Sequence, residues 1–281
     1  MFDVNGINMN DFLKLTYVHH DCFVLESAKC VIVFDYWTDP LESAHDEIPG
    51  FLRDTDTENT KKPVYVLVSH FHKDHFNPDI FKWSKHIKDI RYVISRDVRR
   101  HARYLLCGDS HYAGFKPDPD KVSVLQKGES YVDDYVEIRA YGSTDVGNSY
   151  AVTLKDCGKS IFHAGDLNCW TWRDESTAAE IESAENAFRS ELKPIARAFE
   201  KFDIAMFPVD SRIGTGYAQG ASEFVRTFDV GHFFPMHFNL ADNEAERRRR
   251  VSDALEFGLY AAPRGEYVAL TAPYQSFLKF I

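Results

Sequence analysis

The segment Ser69-His70-Phe71-His72-Lys73-Asp74-His75 places three imidazoles and a carboxylate within six positions, 70 to 75. It follows directly on Val64-Tyr-Val-Leu-Val68, an apolar, β-branched run that reads as a buried strand. In an extended chain the side chains at i and i+2 share a face, so His70 and His72 can grip one ion together. Asp74 and His75 come a turn later and face back into the same mouth, within reach of a second ion. Imidazole nitrogen and carboxylate oxygen are the atoms that a divalent ion such as zinc takes as ligands. The HxHxDH spacing after a strand therefore points to metal chemistry rather than to scattered solvated histidines.

The elements that must position this segment are legible as short apolar runs at 31–34, 64–68, 92–94, 150–154, 204–207 and 267–270. Each is bounded by charged or turn residues and predicts a buried strand. Apolar residues at intervals of three and four predict an amphipathic helix over 176–202, ended or kinked at Pro194 and packed on a sheet face. A second helix is expected over 240–258 with Gly258 as its stop. The arginine run at 247–250 follows Glu244 and Glu246, so Glu244–Arg248 and Glu246–Arg250 pairs make it a solvated helix face. The polar stretches 39–62 and 105–121 read as loops. No repeat or composition break divides the chain, and one domain over 1–281 is expected.

Composition narrows the function. Thirty-three Lys+Arg against 43 Asp+Glu leave a formal charge of −10 on 281 residues, which disfavours a nucleic-acid or anionic-membrane surface. No stretch approaches the roughly 20 apolar residues needed to span a bilayer. The five cysteines form no CxxC pair, and the first residues lack a basic and then apolar leader pattern, so a reducing, cytoplasmic setting is expected.

Two further segments complete a pattern. Ile161-Phe-His-Ala-Gly-Asp166 is a strand running into Gly-Asp, and Phe234-Pro-Met-His237 is a strand ending in histidine. With HxHxDH, these make the chain resemble the metallo-β-lactamase-fold hydrolases. The resemblance implies an α/β fold, a four-layer αββα sandwich with the metals at one edge between the sheets. It implies that His70 and His72 bind a first metal, that Asp74, His75 and His237 bind a second, and that Asp166 bridges both. Two divalent ions are expected, zinc first. The stretch from Tyr17 to Leu25, followed by Val31-Ile-Val-Phe-Asp35, resembles the lactonase-like branch related to the ascorbate-phosphate lactonases. There a Gly-His dipeptide opens the first hairpin and Asp-Pro ends its second strand. His20 and Asp35 occupy those places, with Tyr36 where the proline would stand. His20 is then a pocket residue or a structural one, and Asp35 a partner for a ligating histidine or a structural residue.

The chain departs from the family in one place. A histidine expected between HxHxDH and Gly-Asp is absent from 141–150, where Asp145 stands 21 positions before Asp166. Either Asp145 substitutes as an oxygen ligand, making the site more tolerant of manganese, or the turn is simply a loop held by its Ser, Thr and Asp side chains.

Other residues keep two readings each. His163 either supports a ligand or alternates harmlessly on its strand. His232 lies on the opposite strand face from His237 and reads as structural. Asp210 and Arg212 either orient a substrate carboxylate or phosphate or form a surface ion pair. Trp170 and Trp172 either wall a pocket or pack in the core. The expected activity is cleavage of a small-molecule ester, lactone or amide by metal-activated hydroxide, with Asp74 orienting the nucleophile. The alternatives are a phosphodiesterase or nuclease on the same binuclear site, or a non-catalytic metal-binding relative. A small-molecule substrate is the expected partner, nucleic acid and membrane are not, and the oligomeric state is left open.

Overall fold

The computed structural model describes residues 12–40, 48–54, 62–107, 114–241, 243–260 and 265–280. Strand 31–34 shows how the sequence builds it. Val31 and Val33 pack in one apolar cluster with Val64, Val66 and Val68, while Ile32 and Phe34 pack in another with Tyr65 and Leu67. A strand covered on both faces needs apolar residues on both, so it reads as an unbroken run rather than an alternation.

The first sheet has the order β14-β1-β2-β3-β4-β5-β6. Its strands are β1 (Phe12–His19), β2 (Cys22–Ser27), β3 (Val31–Phe34), β4 (Val64–Val68), β5 (Ile90–Ser95), β6 (Val122–Leu125) and β14 (Gln275–Phe280). Strands β3 to β6 run parallel, so their carboxyl ends share one edge. The second sheet has the order β13-β12-β11-β10-β9-β8-β7. It comprises β7 (Ser130–Val132), β8 (Val136–Tyr141), β9 (Ser149–Leu154), β10 (Ser160–His163), β11 (Lys201–Pro208), β12 (Asp229–Met236) and β13 (Glu266–Tyr267). Here β10 to β13 are parallel. The inward side chains of the two sheets, Phe23, Phe34 and Leu67 with Ile138, Val152 and Phe234 among them, form one continuous core.

Helices cover both outer faces. The 3₁₀ segment Pro78–Lys85 and the short helices α1 (Gly50–Asp54), α2 (Arg96–His101) and α3 (Arg103–Leu106) lie on the first sheet through Phe51, Ile80, Phe81, Val98 and Leu105. The second sheet carries α4 (Ala178–Ala198), α5 (Gln219–Thr227) and α6 (Glu244–Tyr260), with Phe224 of α5 against Phe162 and Phe207. This is the expected four-layer α/β sandwich.

Several expectations are corrected. Thr177 and Glu180 form a capping box at the start of α4, and the helix runs through Pro194 to Ala198 instead of ending there. Ile195, buried just beyond the proline, anchors the last turn to the sheet and offsets the lost backbone bond. Gly258 lies inside α6, not at its stop. A Cβ there would meet the Tyr267 ring at 2.3 Å, so the glycine answers to packing. The strand expected at 267–270 shortens to Glu266–Tyr267, although Val268 and Leu270 remain buried. Of the expected loops, 41–47, 55–61 and 108–113 lie outside the described residues. No described helix is long and apolar enough to cross a membrane.

Candidate metal centre

Where the parallel strands end, polar side chains from both sheets turn toward one another. Asp35, just past β3, holds a left-handed backbone (φ 42°). Its carboxylate accepts the Ser69 N–H (2.7 Å) and the Ser69 hydroxyl (2.5 Å) and lies 2.8 Å from His75 Nδ1. The Ser69 oxygen in turn lies 2.9 Å from His70 Nδ1. Both imidazoles are thereby held by Nδ1, which leaves each Nε2 free to face the centre, a common arrangement behind ligating histidines. Gly147 (φ 74°) permits this: a Cβ there would lie 2.1 Å from the Ser69 carbonyl oxygen.

Asp166 stands beyond β10 and divides its two oxygens. Oδ2 is 3.2 Å from His70 Nε2 and 3.9 Å from His72 Nδ1, whereas Oδ1 is 3.0 Å from His75 Nε2 and 3.2 Å from His237 Nε2. His237, the residue after β12, has φ 65° and places Nδ1 2.8 Å from Asp210 Oδ2. Arg212 donates to the same carboxylate oxygen (2.7 Å) and reaches within 2.9 Å of His237 Nδ1. Asp74 Oδ2 lies 3.6 Å from His20 Nε2 and 3.9 Å from His237 Nε2.

The structure therefore brings together His70, His72, Asp74, His75, Asp166 and His237, and with them His20. Three sets of nitrogens and oxygens converge: His70, His72 and Asp166; His75, Asp166 and His237; and His20, Asp21, Asp74 and His237. Asp145 belongs to none of these sets. Its Oδ2 stands 3.6 Å from His72 Nδ1 at the exposed mouth. Asp35 and Asp210 back two of the histidines.

His163, buried, donates from Nε2 to the Asp21 carbonyl (2.9 Å), accepts the Gly165 N–H at Nδ1 (3.2 Å) and stacks on Phe34. It braces the centre from behind. His232 lies away from the centre, 3.3 Å from Glu266, as strand alternation predicts. Trp170 abuts His237 edge-on and bonds the Asp166 carbonyl (2.8 Å). Together with Trp172, Thr144 and Arg212 it lines a cleft of about 360 Å³ over the centre.

Sequence reasoning missed Asp21. It is fully buried, with Oδ2 3.1 Å from His75 Nε2 and 3.2 Å from His20 Nε2. The signal was a carboxylate next to His20, in a stretch otherwise read as a hairpin opening.

The electrostatics follow from burial. Burial opposes charge on His237, yet the carboxylates of Asp21, Asp166 and Asp210 outweigh it and lift its pKa to about 10. His75 is raised well above the ordinary histidine value against the same opposition, by Asp166 and Asp21. Asp166 is held far below the carboxylate range despite burial, because His75 and His237 face it. Burial first, and then the neighbouring His237 and His75, push His20 down to about 3 against the pull of Asp74. The buried carboxylates thus favour positive charge at His75 and His237, and a bound metal ion would compete with protons for those nitrogens.

The fit to metal ions rests on unmet bonding capacity. His70, His75 and His237 Nε2, Asp166 Oδ1 and both Asp21 oxygens are buried without a hydrogen-bond partner. Each such group costs about 1–3 kcal/mol if left alone. Ions bound at about 2.0–2.2 Å set neighbouring ligand atoms about 3–3.6 Å apart, close to the 3.0–3.9 Å separations across this cluster.

A two-sheet sandwich with an HxHxDH loop, a dividing aspartate and a strand-end histidine at one edge is the frame of a metal-dependent hydrolase. Residues 14–184 match the family model described as "Beta-lactamase superfamily domain", and the chain belongs to that family, the metallo-β-lactamase-fold metal-dependent hydrolases. It is 25% identical over 236 residues to a "UPF0173 metal-dependent hydrolase" of Desulforamulus reducens, covering 81% of this chain and 85% of that one. It is 22% identical over the same shares to a protein of that description from Pyrococcus furiosus. Among solved structures, Igni18, a "novel metallo hydrolase" of Ignicoccus hospitalis, superposes with a TM-score of 0.55 at 19% identity, over 96% of this chain and 99% of that one.

Proposed function

We propose that the chain hydrolyses an ester, lactone or amide bond of a small molecule with two divalent ions. His70, His72 and Asp166 would hold the outer ion, and Asp74, His75, His237 and Asp166 the inner one. Asp145 would serve as a further oxygen at the exposed outer position, and zinc is the expected metal, with manganese tolerated. The observation that carries this is the convergence of partnerless buried nitrogens and oxygens beneath an open cleft. Bound ions would supply Lewis acidity, bringing a water toward ionisation at neutral pH and polarising an acyl oxygen.

The chain's own residues do the rest. Asp74, partly exposed and kept ionised against its burial by His20, His75 and His237, orients the attacking water. Asp35 and Asp210 fix the rings of His75 and His237. Trp170 and Trp172 give the cleft apolar walls, and its volume suits a small molecule. Arg212, reaching the cleft from its pair with Asp210, favours a substrate carrying an anionic group. The formal charge of −10 speaks for a small substrate over a nucleic acid.

Turnover of a panel of lactones, aryl esters and amides tests the reading, on wild type and on His72→Ala and Asp166→Asn. Metal-dependent hydrolysis should fall by at least two orders of magnitude in both variants. Full activity in metal-stripped wild type would overturn it, and salt-sensitive cleavage of RNA in place of the panel would move it to phosphodiesters.

A further inference from the structure

The turn between β1 and β2 carries more chemistry than a turn needs. It is a two-residue connection, since His19 pairs with Cys22, and its residues are His20 and Asp21. His20 adopts φ 55°, a conformation that hairpin turns ordinarily assign to glycine or asparagine. Three contacts hold this strained turn in place: the His20 N–H donates to Tyr17 Oη (2.9 Å), His163 donates to the Asp21 carbonyl, and the Asn239 N–H donates to His20 Nδ1 (3.3 Å). The last bond fixes the tautomer. With Nδ1 accepting, the neutral ring keeps its proton on Nε2, so His20 faces the centre as a hydrogen-bond donor rather than as a ligand.

Asp21 has no such partner. Its carboxylate is completely buried and neither oxygen accepts a hydrogen bond. An ionised carboxylate so placed is costly unless a cation meets it. Its Oδ2 lies 3.1 Å from His75 Nε2, and it shares a set of converging atoms with Asp74 and His237.

We propose that Asp21 is an additional oxygen ligand of the inner ion, making that position five-coordinate, with three carboxylates and two imidazoles, and biasing it toward manganese or iron(II) over zinc. The inference rests on the two-ion reading above and deepens it. Asp21, Asp74 and Asp166 supply the oxygens and His75 and His237 the nitrogens, with His20 Nε2 standing behind them, 3.2 Å from Asp21 and 3.6 Å from Asp74. Added oxygen ligands and a fifth position favour harder ions that accept higher coordination, whereas zinc prefers four ligands richer in nitrogen and sulfur.

The test is competition of manganese against zinc, with metal per chain measured by elemental analysis and cobalt(II) absorption read on the loaded protein, for wild type, Asp21→Asn and Asp21→Ala. Loss of the ligand should lower the manganese-over-zinc preference at least tenfold. It should also intensify the cobalt visible bands as the inner ion moves toward four ligands. Unchanged preference and spectrum in Asp21→Asn would overturn the proposal while leaving the two-ion reading intact. No tight metal in wild type would sink that reading itself. If both variants fail to fold, X-ray absorption on manganese-loaded wild type decides: a coordination number averaging above four supports the assignment, and four overturns it.

Discussion

Two polar clusters occupy opposite ends of the sandwich, one half-buried and one buried, and they differ in whether they are complete. At one end Asp133, between β7 and β8, accepts from Tyr65 Oη, Tyr131 Oη and Arg91 and from the Tyr135 and Val136 N–H groups. Every lone pair has a partner in the chain, and no backbone between Tyr131 and Val136 adopts a left-handed conformation. At the other end, seven buried nitrogens and oxygens of His20, Asp21, His70, His75, Asp166 and His237 have none, and His20, Asp35 and His237 are all left-handed. The first cluster spends its polar groups on stability. The second withholds them, and strain of this kind gathers where a protein binds or reacts.

The comparison can be broken most decisively by adding metal. Saturating divalent ion should stabilise the stripped protein by about 4 kcal/mol at a thousandfold excess over Kd, read as a rise in thermal midpoint. Asp166→Asn should lose most of that rise, while no ion should affect the Asp133 cluster. A midpoint indifferent to metal would make the two ends alike.

A smaller effect is expected from Asp133→Ala. It leaves Arg91 and two tyrosine hydroxyls without their acceptor and should cost about 2–3 kcal/mol in urea titration, equally with and without metal. A cost that depends on metal would couple the two ends.

Smallest is the change of that cost with pH. Burial raises the Asp133 carboxyl, but its hydrogen bonds, Tyr65 first, outweigh burial and hold it below the ordinary aspartate value. Its contribution is therefore fully present above the unfolded value of about 3.9 and lost as pH falls through the lower folded value. The gap between wild type and Asp133→Ala should stay flat from pH 7 to 5 and narrow below pH 4; a gap unchanged at pH 3 would contradict the depressed value.

What the sequence discloses follows the same division. Strands β3 and β4 are legible to the residue because burial on both faces leaves only apolar side chains, and HxHxDH is legible because it trails one of them. Strand β14 is not, since what makes it a strand is pairing with β1, Leu15 opposite Phe277, some 260 positions away. The sequence offers Asp35 as a partner for a ligating histidine without saying which one, and Asp210 only as a strand-end polar group, until folding sets them behind His75 and His237. Asp21 was hidden because an aspartate in a tight hairpin reads as turn chemistry; only its burial without a partner sets it apart. Pro194 and Gly258 misled because local rules were overruled by packing, on Ile195 and on Tyr267.

The centre also straddles a seam. His20, Asp21 and the 70–75 loop ride on the first sheet, while Asp166 and His237 ride on the second. Their contacts near 3 Å span the gap between the two halves, so the inter-sheet core acts as an alignment jig with sub-ångström tolerance. Phe34 belongs to that core and also stacks on His163, the brace of the Asp21 turn. Substitutions in this core that the fold absorbs by sliding one sheet along the other leave the protein folded and its centre out of register.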